Sequence, residues 1–447
     1  MRHLFWGGVH PDGRKELSRG APLSPAPLPA QVVIPMLQHI GKPCTPLVKP
    51  GDTVRLGQKI GDAEGLSATV HASVSGRVLA VEPRPHPSGR PVLSAVLEND
   101  GLDTPDHTLV PHETLEGLSP DDLLTIIREA GIVGMGGATF PTDIKAVSAA
   151  GRVDTVLINA CECEPYITAD DALLCSAPER VLRGASVLRA ILQPDRVVLA
   201  VEDNKTQAID SVRRCLEQYP GIELAVLPTR YPQGAEKQLV QAVTGRQVPP
   251  GKLPISVGCG VFNAGTVAAI CRAVFHGEPI TRRVVTVTGE GVREPKNLIV
   301  RIGTSYQDVL AAAGGLTEDA CKVIAGGPMM GIAQGDLSVP VLKGTNAVLC
   351  LTKREAAPVV EEEVCLRCGR CVNVCPMHLT PVYMHLYAEK GMWKEAEALN
   401  VMDCIECGSC NYICPARIHL VQSFRVTKGE LRNLAAKEKA AKEAAKA

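Results

Sequence analysis

Aromatic side chains are scarce in this sequence: two Trp, seven Tyr and five Phe among 447 residues. With 41 Gly and 34 Pro beside them, the composition suits a loop-rich α/β protein. An excess of either charge is missing too. The 47 Lys and Arg nearly balance 48 Asp and Glu, so there is no electrostatic case for a nucleic-acid partner. No apolar run approaches the ~20 residues that a membrane-spanning helix needs. Met1 to Pro11 lacks the apolar stretch of a secretory signal. The expectation is a chain with no membrane-spanning segment of its own, working in solution or on a membrane surface through partners. Its length suggests about three domains.

Cysteine is not scarce. Of 17 cysteines, eight fall in a pattern C-x2-C-x2-C-x3-C-P that occurs twice. The first copy is Cys365, Cys368, Cys371, Cys375 and Pro376; the second is Cys404, Cys407, Cys410, Cys414 and Pro415. This is the two-cluster ferredoxin pattern, in which each 4Fe–4S cluster takes three cysteines from one run and the fourth from the other. The expected ligands are Cys365, Cys368, Cys371 and Cys414 for cluster one. Cys404, Cys407, Cys410 and Cys375 are expected for cluster two. Zinc sites show two ligand pairs with a longer gap, not three evenly stepped cysteines before a Cys-Pro. The other thiols have no framework spacing, and with the clusters they point to a reducing cytosol. Cys44, Cys175, Cys215, Cys271, Cys321 and Cys350 read as small buried hydrophobes.

Along the chain, residues 1–31 form a lead-in, Pro-rich and extended from 21. Over 32–110, short β-type runs alternate with Gly, Pro and Asp turns. The stretches LVKPGDTVRLGQKIGDAEG and VHASVSGRVLAVE resemble the lipoyl barrel-sandwich fold. The hairpin tip around Gly65 to Ala68 has no lysine, which leaves a packing or docking module without a swinging arm. His71 reads as a hydrogen-bonded surface histidine. Residues 115–282 alternate helix and strand. Ser119-Pro120-Asp121-Asp122 starts a helix. Apolar strands are expected at 155–159, 197–201 and 223–227, with helices near 168–192 and 205–219, giving a parallel sheet covered on its faces. The Ala325 to Gly331 turn has no evident chemistry. A charged linker over 353–363 leads into a cluster domain at 355–425. Its helix pair, 381–400, breaks at Gly391. A Lys/Ala-rich tail spans 426–447.

Three loops of the α/β domain carry glycine and polar signals. Gly134-Met135-Gly136-Gly137 with Phe140, a following helix and Lys145 suits a phosphate as well as it suits a plain turn. Asn159-Ala160-Cys161-Glu162-Cys163-Glu164-Pro165 ends a strand, where open α/β sheets bind ligands. Tyr231, Gly234 and Glu236 lie in a third loop, and Asn263 and Thr266 in a helix start that reads equally well as a cap. The order of these loops resembles the NADH-binding flavoprotein subunit of respiratory complex I. The resemblance implies that Gly134, Gly136, Gly137, Lys145, Asn159, Asn263 and Thr266 hold non-covalent FMN. It implies that Phe140, Glu162, Glu164, Tyr231, Gly234 and Glu236 shape the pocket for the substrate NAD(H), with Glu162 catalytic. Cys161 and Ala235 depart from that family, which has acidic residues there. Residues 283–348 are similar to the β-grasp (SLBB) module that follows the flavin domain in complex I.

The full order is a barrel-sandwich, a Rossmann-like FMN/NADH-binding α/β domain, a β-grasp and a C-terminal two-cluster ferredoxin-like α-helical domain. This multidomain α/β architecture resembles the C subunits of the Rnf complexes, bacterial ferredoxin:NAD+ oxidoreductases coupled to Na+ or H+ translocation. The resemblance implies a peripheral subunit on the cytoplasmic face of the cell membrane. Its partners would be the other Rnf subunits and, indirectly, ferredoxin. Two other readings are a microcompartment cobalamin reductase and a flavin-free docking subunit that only carries electrons. The N-terminal position of the barrel favours Rnf over the former.

Overall fold

The computed structural model describes residues 4–356 and 362–444. The charged linker expected at 353–363 falls partly outside them. The chain divides into two compact units. The larger runs from Gly13 to Pro228 and from Pro254 to Ala356; the smaller gathers the chain before Gly13, Thr229–Leu253 and the chain after Ala356.

In the larger unit, the barrel pairs Gln31–Pro35, Val92–Asn99, Gly76–Arg84 and Thr53–Val54 in one antiparallel sheet. Thr45–Pro46, Lys59–Asp62 and Val70–His71 form a second sheet. Strand periodicity puts alternate residues inward, and Val32, Ile34, Val78, Ala95 and Leu97 join Ile60 and Val70 in one core. His71 departs from the surface reading. It is buried, although it lies on the face of its two-residue strand opposite Val70, because Glu129 and Lys343 from other elements lie against it. Burial lowers its pKa to about 3, helped by the Lys343 charge, so the imidazole is neutral.

The α/β domain carries a four-stranded sheet in the order Ile222–Leu227, Arg196–Glu202, Thr155–Ala160, Cys259–Asn263, with every pair parallel. Val156, Leu157 and Ile158 are all fully buried, as expected for a parallel strand covered on both faces. Ser119 caps the helix Pro120–Glu129 in a capping box with Asp122. The helix expected across 168–192 is two helices, Ala169–Ser176 and Pro178–Leu192. Pro178 cannot continue a helix it would interrupt, but fits the first turn of a new one. Gly184 lets this second helix touch Ala264–His276: an added Cβ would lie 2.0 Å from Val267 O.

The β-grasp sheet runs Ser24–Pro25, Lys296–Arg301, Arg282–Thr288, Ala347–Thr352, Ala320–Ala325, Ile332–Gln334, packed on the helix Tyr306–Ala312. The Pro-rich lead-in thus supplies an edge strand, where a missing N–H is tolerated. Cys44, Cys271 and Cys350 are buried as expected, whereas Cys175 and Cys321 are exposed and Cys215 is half-buried. Cys175 and Cys321 occupy outward positions of their helix and strand.

The smaller unit is helical: Glu236–Thr244, Arg370–Asn373, Pro381–Glu389, Trp393–Ala398, Ser409–Ile413 and Leu420–Ala444. Gly391, at φ 67°, separates the expected helix pair. Three stretches of chain meet here. Gly8 N donates to Val374 O, and Val9 and Tyr231 exchange backbone hydrogen bonds. Among the described residues no helix is long and apolar enough to cross a membrane.

Candidate functional site

The strand order places a topological switch between Thr155–Ala160 and Cys259–Asn263. In open parallel sheets the crevice beyond the carboxyl ends of such strands is the ligand site. Asn159 and Asn263 sit opposite each other in register at that edge. Asn263 caps the helix Ala264–His276 by accepting from Gly265 N and Thr266 N, and its amide donates to Asp170 at 2.8 Å. Thr266, which read as a cap, instead accepts from Met135 N at 2.8 Å through its hydroxyl. That bond draws the glycine-rich loop to the helix start. A Cβ on Gly136 would lie 3.3 Å from the Asn263 side chain, while Gly137 opens onto free space at φ 134°. Gly134 N closes the loop on Phe140 O at 2.8 Å. Lys145 Nζ lies 5.5 Å from the centre of the Phe262 ring, beside Asn263.

Glu162 follows the central strand. Its Oε1 accepts from Asp170 N at 2.8 Å, at the start of the helix Ala169–Ser176. Thr168, the cap residue, offers that helix no side-chain bond, so the carboxylate meets an otherwise orphaned N–H. Burial pushes the Glu162 carboxyl up and Asp170 adds to this, while Lys15 and Lys205 pull it down; the net direction is up. Glu164 Oε1 accepts from Met329 N at 2.7 Å and Met330 N at 3.1 Å. The glycine turn without evident chemistry is therefore the seat of this carboxylate. Only glycine fits at 327, where a Cβ would lie 2.1 Å from Glu164 Cγ. Cys161 is buried and burial raises its thiol pKa well above normal, so it brings no charge to the site.

Sequence reasoning missed three buried cations. Lys15 Nζ donates to the carbonyls of Glu162, Glu164 and Ile167 at 2.5–2.9 Å, bracing the whole loop. Lys205 Nζ lies 3.8 Å from Glu202 and 3.5 Å from Glu162 O. Arg283 donates to Thr345 O at 3.1 Å and approaches Met135 under the glycine loop. Arg283 shares strand parity with Val285 and Val287, so an inward arginine was readable. Lys15 gave no such signal in its loop-like surroundings.

Tyr231, Gly234 and Glu236 belong to the smaller unit. There, the eight cysteines of the two runs line two pockets. Cys365, Cys368, Cys371 and Cys414 line one; Cys375, Cys404, Cys407 and Cys410 line the other. Burial pushes Cys404 up to about 11, and its neighbours Cys407 and Cys375 add to the rise. Among the described residues no three ligands converge as a single-ion site. The thiols are spread around pocket walls instead, which fits a cluster whose irons each take a different cysteine.

Four family profiles follow one another along the chain. They are an RnfC barrel sandwich hybrid domain over 3–102, a Nuo51 FMN-binding domain over 127–272, an SLBB domain over 284–333 and a 4Fe-4S dicluster domain over 357–415. Among the C subunits that match, that of the Na(+)-translocating ferredoxin:NAD(+) oxidoreductase complex of Acetobacterium woodii is 48% identical, over 96% of this chain and 97% of its own. That of the proton-translocating complex of Clostridium ljungdahlii is 44% identical, over 98% of this chain and 96% of its own. That of an ion-translocating oxidoreductase complex of Cronobacter sakazakii is 43% identical over 98% of this chain, which spans 57% of that longer relative. An NAD+-reducing NiFe hydrogenase in the H2-reduced state matches with TM-score 0.52 at 18% identity, over 71% of this chain and 64% of that one, a likeness of fold alone.

The fold and these sites define a flavin and iron–sulfur electron-transfer protein, with FMN and two 4Fe–4S clusters as its cofactors. The chain belongs to the family of C subunits of the Rnf-type ferredoxin:NAD+ oxidoreductase complexes.

Proposed function

We propose that this chain exchanges a hydride between NAD(H) and FMN, and electrons singly with its two clusters, reversibly. It would do so as a peripheral subunit on the cytoplasmic face of the cell membrane. Other subunits would bring electrons from ferredoxin and move the ion. FMN is suited to this place because a flavin accepts electrons singly or in pairs. The observation that carries the reading is the meeting, at the sheet's switch point, of the glycine loop with Asn159, Asn263, Thr266 and Glu162.

Gly134, Gly136, Gly137, Lys145, Asn159, Asn263 and Thr266 hold the flavin in this reading. Backbone N–H groups and the lysine serve its phosphate. Phe140, Glu162 and Glu164 shape the nicotinamide side of the site in this reading, where Glu162 orients the substrate. The coupling ion belongs to other subunits: relatives named for Na+ and for protons are similarly close to this chain.

The test separates hydride transfer from the clusters. The isolated chain should oxidise NADH with a small dye that takes electrons from reduced flavin. Cys368→Ser should keep that activity and abolish ferredoxin-dependent NAD+ reduction in the assembled complex. A folded, FMN-loaded variant that cannot reduce the dye overturns the reading. A visible spectrum without a flavin band would favour the docking reading.

A further inference from the structure

The two cysteine pockets differ in what surrounds them. Around the pocket of Cys375, Cys404, Cys407 and Cys410, three side-chain donors end on carbonyls of the ligand loops. Tyr231 Oη donates to Cys407 O at 2.6 Å, Gln238 Nε2 to Pro376 O at 3.1 Å, and Lys428 Nζ to Cys404 O at 2.5 Å. All three residues are at most 5% exposed. Lys428 also pairs with Glu406 at 2.8 Å, and Arg425 meets the same carboxylate at 2.9 Å. Two cations thus face one anion. The other pocket is different. Its loop residues Leu366, Arg367 and Cys368 are exposed. Among the described residues, no side-chain donor reaches the carbonyls of Cys365, Cys368, Cys371 or Cys414.

A donor hydrogen or a cation held beside a cluster favours the added electron, and burial strengthens the effect because water does not screen it. We propose that Tyr231, Gln238 and Lys428 are positioning residues that raise the reduction potential of the cluster on Cys375, Cys404, Cys407 and Cys410. They act through the ligand-loop carbonyls and leave the other cluster untouched. Tyr231 and Gln238 come from the excursion of the flavin domain's own chain, Thr229–Leu253. The potential of this cluster is therefore set partly by residues outside the ferredoxin sequence.

The inference rests on the two-cluster assignment, so the experiment counts iron as well. The full chain, purified anaerobically, is titrated redox-potentiometrically and followed by electron paramagnetic resonance, with Cys375→Ser identifying the signal of cluster two. Lys428→Met should move that midpoint furthest down; Tyr231→Phe and Gln238→Leu should move it down by less. The other midpoint should stay fixed, with about eight irons per chain throughout. Wild-type protein holding half that iron would sink the cluster assignment itself. Should Lys428→Met lose iron, Tyr231→Phe decides, since it removes a single oxygen. An unmoved midpoint in iron-replete Tyr231→Phe, or equal shifts in both clusters, overturns the inference.

Discussion

Glu162 illustrates how one residue serves fold and chemistry together. Its carboxylate satisfies the first amides of the helix Ala169–Ser176 and lies at the crevice proposed for the nicotinamide. A glutamine keeps the acceptor oxygen and removes the charge. Glu162→Gln should therefore preserve folding and flavin content but weaken NADH use by on the order of 1–3 kcal/mol in kcat/KM. Loss of flavin with unchanged nucleotide affinity in the remaining holoprotein would place Glu162 at the wrong ligand. Cys375 makes the parallel case in the cluster domain. Cys375→Ser should disturb the magnetic resonance of the cluster held by Cys404, Cys407 and Cys410; loss of the other signal would refute the crossed ligation. The cluster cysteines were legible because their spacing is itself the chemistry. Lys15 was not, because its meaning lies in three carbonyls about 150 residues away, which no local pattern encodes.

At the scale of elements, Lys343 joins three parts of the larger unit. It lies in the loop before the β-grasp strand Ala347–Thr352, and its buried Nζ donates to Thr69 O of the barrel and Gly131 O after the first α/β helix. Burial lowers its pKa from 10.5 to about 7. Between those values the unfolded chain binds a proton that the folded protein does not, so this group adds stability as pH rises through that window. A neutral amine still serves both carbonyls. Lys343→Met should therefore cost more at pH 9 than at pH 6, by roughly 1–3 kcal/mol at the higher pH. Thermal melts of both proteins across that range would show it; a pH-independent difference would mean that the lysine does not titrate there. The α/β strands were readable from their apolar runs, and the Ser119 cap from its side-chain chemistry. The break at Ala177 was missed because helical periodicity continues on both sides of Pro178. His71 was misplaced because the groups that bury it, around Glu129 and Lys343, come from distant parts of the chain.

At the scale of the whole molecule, domain order was legible while unit composition was not. Composition and motif order separate barrel, sheet, β-grasp and clusters, but nothing local shows that Thr229–Leu253 leaves the flavin domain's unit. That excursion is fixed by contacts far apart in sequence, such as Tyr231 on Cys407 and Gln238 on Pro376. The pairing of Gly8 with Val374 is more distant still. It has a consequence for biosynthesis. A ribosome delivers Gly8 hundreds of residues before its partner, and Cys414 later again. The helical unit cannot close as an independent nascent domain, in contrast to the usual order of domain-wise folding during translation. Insertion of iron and sulfide would then act on a chain already synthesised through Cys414, with the Gly8 segment kept waiting until those cysteines emerge.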